Sequence, residues 1–310
     1  MPHRPFALVL LLLVSTSLPT NAQDKPKLEL PECDIFLFDL TSEDGKLAVT
    51  NPRNITQRPG YDNQPWFTPQ SKSILFTADR VANRTDVYEY VIASGETKTV
   101  TDSPDQEYSP QISSDNETLS FVTDGATANQ SVWFQKRGEK KPQWLLSSMG
   151  EREPVGYYSW NHKTDNVLFW SRYGFCMRLV HRGTGKAHYI CGNAVPSSPY
   201  IIPGTNNFSF VHRQGNGTVW IKELNPENRA IRPLVQLPGA NANYGWTPDG
   251  KLLNIDGSDL KTASPKEGEW EVVADLTKFK IEKATRVAVS PNGKLLAIVG
   301  TNCVSQAHSF

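Results

Sequence analysis

The sequence has no net charge. Its 32 basic residues balance 32 acidic ones, so there is no basic face to draw nucleic acid or an anionic membrane, and any charged patch has to be local. Histidine is scarce and dispersed. His181 and His188 share one hairpin but have no third ligand nearby in sequence, so no metal is expected. There is no G-x-S-x-G nucleophile elbow, no Walker loop and no H-E-x-x-H pair. Asp256-Gly257-Ser258-Asp259 lacks the downstream acidic ligand that a calcium loop needs and reads as a turn. No cofactor is expected. Long apolar runs are also missing, because Phe6 to Val14 gives only nine residues against about twenty for a membrane span. With His3 and Arg4 before it and Thr20-Asn21-Ala22 after it, that run reads as an export signal over residues 1–22. The expectation is an exported chain, periplasmic or extracellular, with residues 23–310 forming one domain and no stable membrane span after signal cleavage.

What is present is a repeat. Residues 64–102 contain four short apolar-alternating runs separated by turn chemistry, which predicts four antiparallel strands, one propeller blade. A turn residue followed seven positions later by an apolar residue marks the unit. The pairs are Pro69/Phe76, Ser114/Phe121, His162/Phe169, Pro203/Phe210, Pro248/Ile255 and Pro291/Ile298, at spacings of 45, 48, 41, 45 and 43 residues. A single blade cannot bury both faces, so six copies at this period predict an all-β, six-bladed β-propeller with four-stranded blades. The last copy holds only two strands. Two more are predicted near the N-terminus, over 34–40 and 46–50, and joining them to the last copy closes the ring and removes its exposed edge.

Cysteine is sparse but even in number, and all four residues follow the signal, which fits an oxidising compartment. Ring closure brings Cys33 near Cys303, a first predicted disulfide. Folding the hairpin Phe175 to Cys191 about Gly183-Thr184 places Cys176 opposite Cys191, a second.

The run Trp66-Phe67-Thr68-Pro69, Ile74-Leu75-Phe76-Thr77-Ala78-Asp79-Arg80 and Asp86-Val87-Tyr88 resembles the TolB-type WD-like propeller repeat. Ala288 to Lys294 and Gly245 to Lys251 carry it again, while Gln70-Ser71 replaces the usual Asp-Gly and the copy around His162 is eroded. The resemblance implies a stand-alone exported propeller lacking the N-terminal α/β domain of TolB. It is specific for fold and says little of activity.

In a propeller, the loops leading into the first strands and those after the second strands gather at one mouth. Here they carry Asp62, Asp79, Arg80, Asp124, Arg172, His212, Arg213 and Asp256, charges of both signs suited to a protein or peptide segment. The expected function is a non-enzymatic exported scaffold that binds a protein or peptide there. The alternative is a hydrolase or lyase acting on a carbohydrate or peptide at the same mouth, with His212 and a neighbouring carboxylate as acid and base. Carboxylates already paired to arginines favour the scaffold. The eight tryptophans are expected to pack between blades, with one or two exceptions at the ring's mouth.

Overall fold

The computed structural model describes residues 30–81, 84–124, 129–147 and 153–302. The predicted signal segment and Cys303 lie outside them. Six four-stranded antiparallel sheets follow one another around a ring. Blade one is β3 (Asp62–Phe67), β4 (Ser73–Val81), β5 (Arg84–Val91) and β6 (Glu96–Thr99). Blade two is β7 (Glu107–Ile112), β8 (Thr118–Thr123), β9 (Ser131–Lys136) and β10 (Gln143–Trp144). Blade three is β11 (Val155–Asn161), β12 (Asn166–Ser171), β13 (Cys176–His181) and β14 (Lys186–Cys191). Blade four is β15 (Tyr200–Ile201), β16 (Phe208–Arg213), β17 (Val219–Leu224) and β18 (Ile231–Gln236). Blade five is β19 (Tyr244–Trp246), β20 (Leu252–Asp256), β21 (Asp259–Ala263) and β22 (Trp270–Asp275).

Blade six is shared by the two ends of the described chain. β23 (Ile281–Val289) and β24 (Leu295–Asn302) form its inner half, and β1 (Asp34–Glu43) and β2 (Lys46–Asn54) its outer half, in the order β2-β1-β24-β23. The joint between β1 and β24 runs in unbroken register from Asp34 opposite Gly300 to Asp39 opposite Leu295. Closure therefore occurs as the sequence predicts, through a full ladder of backbone bonds. No helix among the described residues is long and apolar enough to cross a membrane.

The core is divided into six clusters, one between each pair of neighbouring blades. Alternation along the second strand of a blade feeds both neighbours. Val167 and Phe169 of β12 pack toward blade two, while Leu168 and Trp170 pack toward blade four. The six apolar marker residues are each at most 1% exposed, so the periodicity used to count blades is the periodicity of burial.

The marker turns are pinned by buried polar residues immediately before the marker. Thr68, Thr247 and Ser290 each accept a backbone N–H from the far side of the turn through the side-chain hydroxyl, at 3.1, 2.9 and 2.9 Å. In blade one Ser71 stands where the repeat usually has Gly and takes a left-handed φ of 57°. Its hydroxyl accepts the Asn292 N–H of blade six at 3.1 Å, which ties the substitution to the closure.

The cysteine expectations are corrected. Cys33, Cys176 and Cys191 are free thiols. A bulge between Met177 and Arg178 shifts the hairpin by one residue, so Cys191 stands opposite Met177 and Cys176 opposite Ser171. The Cys33 thiol donates to the Asp62 carbonyl at 3.3 Å, and the predicted pairing with Cys303 falls outside the described residues.

Candidate functional site

The strand ends bring all eight predicted site residues to one mouth of the ring, where most of them engage neighbours outside the set and, among the described residues, Arg80 with Asp62 is the one ion pair within it. Arg58 reaches Asp62 at 3.0 Å and Asp79 at 2.8 Å, and Arg80 approaches Asp62 at 3.7 Å while lying 5.0 Å from the Tyr88 ring centroid. Asp256 takes Lys261 at 2.7 Å. Asp124 accepts the Gln106 N–H at 3.0 Å, and Arg172 donates to the Gln130 side chain at 2.6 Å. The Arg213 backbone N–H donates to the Asn193 carbonyl at 3.1 Å. His212 is held below its ordinary pKa by burial and then by Lys222, which is the charge that acts on it. Asp79, Asp124 and Asp256 are occupied elsewhere, so they do not assemble an acid–base set around this imidazole. Burial raises the Asp62 carboxyl to about 6 in spite of Arg58 and Arg80. No group of three or more His, Cys, Asp or Glu side chains among the described residues is placed to hold a metal ion.

A cavity opens at the opposite mouth, where the turns between first and second strands meet. It has a volume of about 550 Å³, and none of the eight predicted residues lines it. All six marker turn residues do: Pro69, Ser114, His162, Pro203, Pro248 and Pro291. So do the residues two positions ahead of each marker: Phe67, Ile112, Trp160, Ile201, Trp246 and Val289. The cavity is thus written by two positions of the repeat, which is the signal that would have found it. Sequence reasoning used those positions to count blades and assigned the tryptophans to packing. Trp66, Trp160 and Trp246 serve both purposes, each packing on an inter-blade cluster while lining the cavity.

Polar contacts hold the indoles of Trp246 and Trp160. Trp246 Nε1 donates to Ser209 Oγ at 2.8 Å, which also accepts Tyr244 Oη at 2.8 Å. Trp160 Nε1 donates to Asp165 at 3.2 Å, and its ring lies 3.8 Å from that of His162 between centroids. Burial is the leading cause holding His162 below its ordinary pKa, so the imidazole is neutral at neutral pH.

The cavity has a floor made by pairs that span the ring. Trp66 of blade one and Tyr200 of blade four lie with centroids 6.3 Å apart and planes within 1° of parallel. Arg286 of blade six donates to Tyr157 Oη of blade three at 3.0 Å, with its guanidinium 5.2 Å from that ring's centroid. Bulges in the innermost strands aim these groups inward. Register shifts fall between Asn63 and Trp66, Tyr108 and Gln111, and Glu282 and Arg286.

Comparison with known proteins places the fold. No protein-family model matches the sequence, and no curated protein does either. Among solved structures, a protein assigned as TolB from Agrobacterium tumefaciens is similar with a TM-score of 0.68 and 13% identity, covering 87% of this chain and 98% of that one. TolB from Acinetobacter baumannii is similar with a TM-score of 0.56 and 12% identity over 86% of this chain, which spans 64% of its length. An oligogalacturonate lyase from Vibrio parahaemolyticus is similar with a TM-score of 0.55 and 12% identity, covering 85% of this chain and 84% of that one. At such identities the likeness concerns the fold, which hosts different activities in these proteins. By strand order, closure and repeat, this chain is a TolB-like six-bladed β-propeller.

Proposed function

We propose that this chain is an exported binding propeller that takes a protein or peptide segment into the cavity ringed by the marker turns. The observation that carries the reading is the cavity's lining: prolines and tryptophans around a floored cup, with no carboxylate among its lining residues. A preformed apolar cup with few polar groups is suited to binding, and aromatic-lined grooves hold extended or proline-rich segments without ordering costs of their own. The opposite mouth supports the same reading from the other side. Three of its four predicted carboxylates, Asp62, Asp79 and Asp256, already have arginine or lysine partners, so their charges are spent within the protein. Export rests on the leader-like residues 1–22 of the sequence.

The test compares two surface changes in the exported protein. Trp66→Leu with Trp246→Leu is expected to abolish retention of the partners captured by the unaltered protein, and Arg80→Glu with Arg213→Glu to leave retention unchanged. The reverse pattern would move the site to the charged mouth. Circular dichroism before capture separates loss of binding from loss of fold.

A further inference from the structure

Beneath the cavity floor lies a chamber of about 30 Å³ bounded by Gln64, Ser109, Ser198, Asn243 and Arg286. It adjoins the cavity, since Pro65, Trp66, Gln111 and Tyr200 line both. Arg286 is the chamber's only charged residue. None of the ion pairs among the described residues includes it. Its contacts are aromatic and phenolic, above all Tyr157, and a phenol neutral at physiological pH cannot balance a guanidinium that stays protonated there. A second polar group waits in the same chamber. The Ser109 hydroxyl is buried, at 7% residue exposure, and has no hydrogen-bond partner.

A half-enclosed guanidinium without a counter-charge and an unused hydroxyl beside it are both costly to keep unless something arrives to satisfy them. We infer that the bound segment ends in the chamber, with its free C-terminal carboxylate on Arg286 and its last side chains in the aromatic cup. This rests on the binding reading above and deepens it by naming which end of a peptide is recognised. Carboxylate fits better than phosphate on two grounds. One guanidinium balances one negative charge, and a dianion would leave an uncompensated charge among tyrosines. The chamber is also small, with room for the head of a ligand while the body stays in the cup. The planar fork of arginine matches a carboxylate in geometry, and the Ser109 hydroxyl adds a donor.

The experiment uses the full exported protein, immobilised, and an N-acetylated tetrapeptide library in which every sequence is present both as free acid and as C-terminal amide. Bound peptides are eluted and identified by mass spectrometry. Free acids are expected to be retained roughly 10- to 100-fold over their amides, the range of a charge-assisted hydrogen bond. Arg286→Gln is expected to erase that preference while aromatic and proline sequences remain enriched in both forms, and Arg286→Lys to restore part of it. Equal retention of acids and amides by the unaltered protein would overturn the carboxylate anchor and leave the aromatic cup standing. No enrichment of any sequence, with Trp66→Leu indistinguishable from the unaltered protein, would overturn the cup itself. Displacement of the peptides by galacturonate oligomers but not by unlabelled peptide acid would show an acidic sugar as the occupant and overturn the peptide assignment. Tighter retention of phosphopeptide amides than of peptide acids would overturn the single-charge argument.

Discussion

Glu107→Gln should stabilise this protein, and only above the acidic range. Glu107 opens β7 and is 2% exposed. One carboxylate oxygen accepts the Ser103 hydroxyl at 2.7 Å, and the other has no hydrogen-bond partner. No ion pair among the described residues includes it, and the neighbouring charge acting on it, Asp86, has the same sign. Burial is the leading cause that lifts its pKa from 4.5 to about 7, against the hydrogen bond from Ser103. The folded state therefore holds this proton more tightly than the unfolded chain does. The resulting stability is complete below about pH 4.5 and drains away as pH rises to about 7, a loss of about 3 kcal/mol for the gap between those two values. Glutamine keeps an acceptor for Ser103, presents an amide where the neutral acid has its O–H, and never ionises. Urea titrations of both proteins at pH 5 and pH 8 should differ by less than about 1 kcal/mol at the lower pH and by up to about 3 kcal/mol at the higher, with the glutamine variant more stable. In thermal melts at pH 8 that amounts to roughly 5–10 °C. Asp62 titrates in the same range but is common to both proteins, so the difference between them isolates Glu107. A glutamine variant less stable than its parent at pH 8, or a difference that does not change with pH, would show that the carboxylate is ionised and stabilising in the fold.

Phe38→Ala tests closure of the ring. This side chain is 0% exposed in β1 and meets Phe279 edge-on at 5.2 Å, so its truncation should cost about 3–5 kcal/mol in urea unfolding. A cost below about 1 kcal/mol would mean that the N-terminal strands add little to the blade they complete. Non-reducing peptide mapping should recover Cys176 and Cys191 as separate alkylated peptides. Denaturant should be needed for efficient labelling, because Cys176 is buried and burial pushes the Cys191 thiol up to about 11. A linked 176–191 peptide would place the hairpin one residue away from the register seen here.

The fold was legible because its determinants are local. An apolar run such as Ile74 to Phe76, a turn at Pro69 and a seven-residue gap repeat closely enough to count, and each follows from burial and turn chemistry inside a single hairpin. Closure was legible for a related reason, since two orphan strands at each end have one way to be satisfied. The hairpin register was not, because the bulge at Met177 depends on how β14 sits against its neighbours and leaves no mark in the spacing of Cys176 and Cys191. The marker-turn cavity was passed over because charge in a loop reads as function, and a charge whose partner lies four residues away reads the same in sequence. Arg58 beside Asp62 is such a case.

The tryptophans carry the other half of that lesson. A residue two positions ahead of the marker must be apolar to pack its strand, and that demand alone would be met by Ile112, Ile201 or Val289. Blades three and five place Trp160 and Trp246 there instead, and blade three puts His162 where four other blades have proline. Packing sets the kind of residue at these positions but leaves the identity free, blade by blade. A ring with six equivalent walls would hold a ligand in six equivalent orientations. The differences among Phe67, Ile112, Trp160, Ile201, Trp246 and Val289 break that symmetry, and Arg286, from one blade alone, breaks it again at the floor. The six walls of the cavity are therefore chemically distinct, so a ligand bound there as proposed would meet a different surface at each blade, which a channel filled only to stabilise the ring would not need.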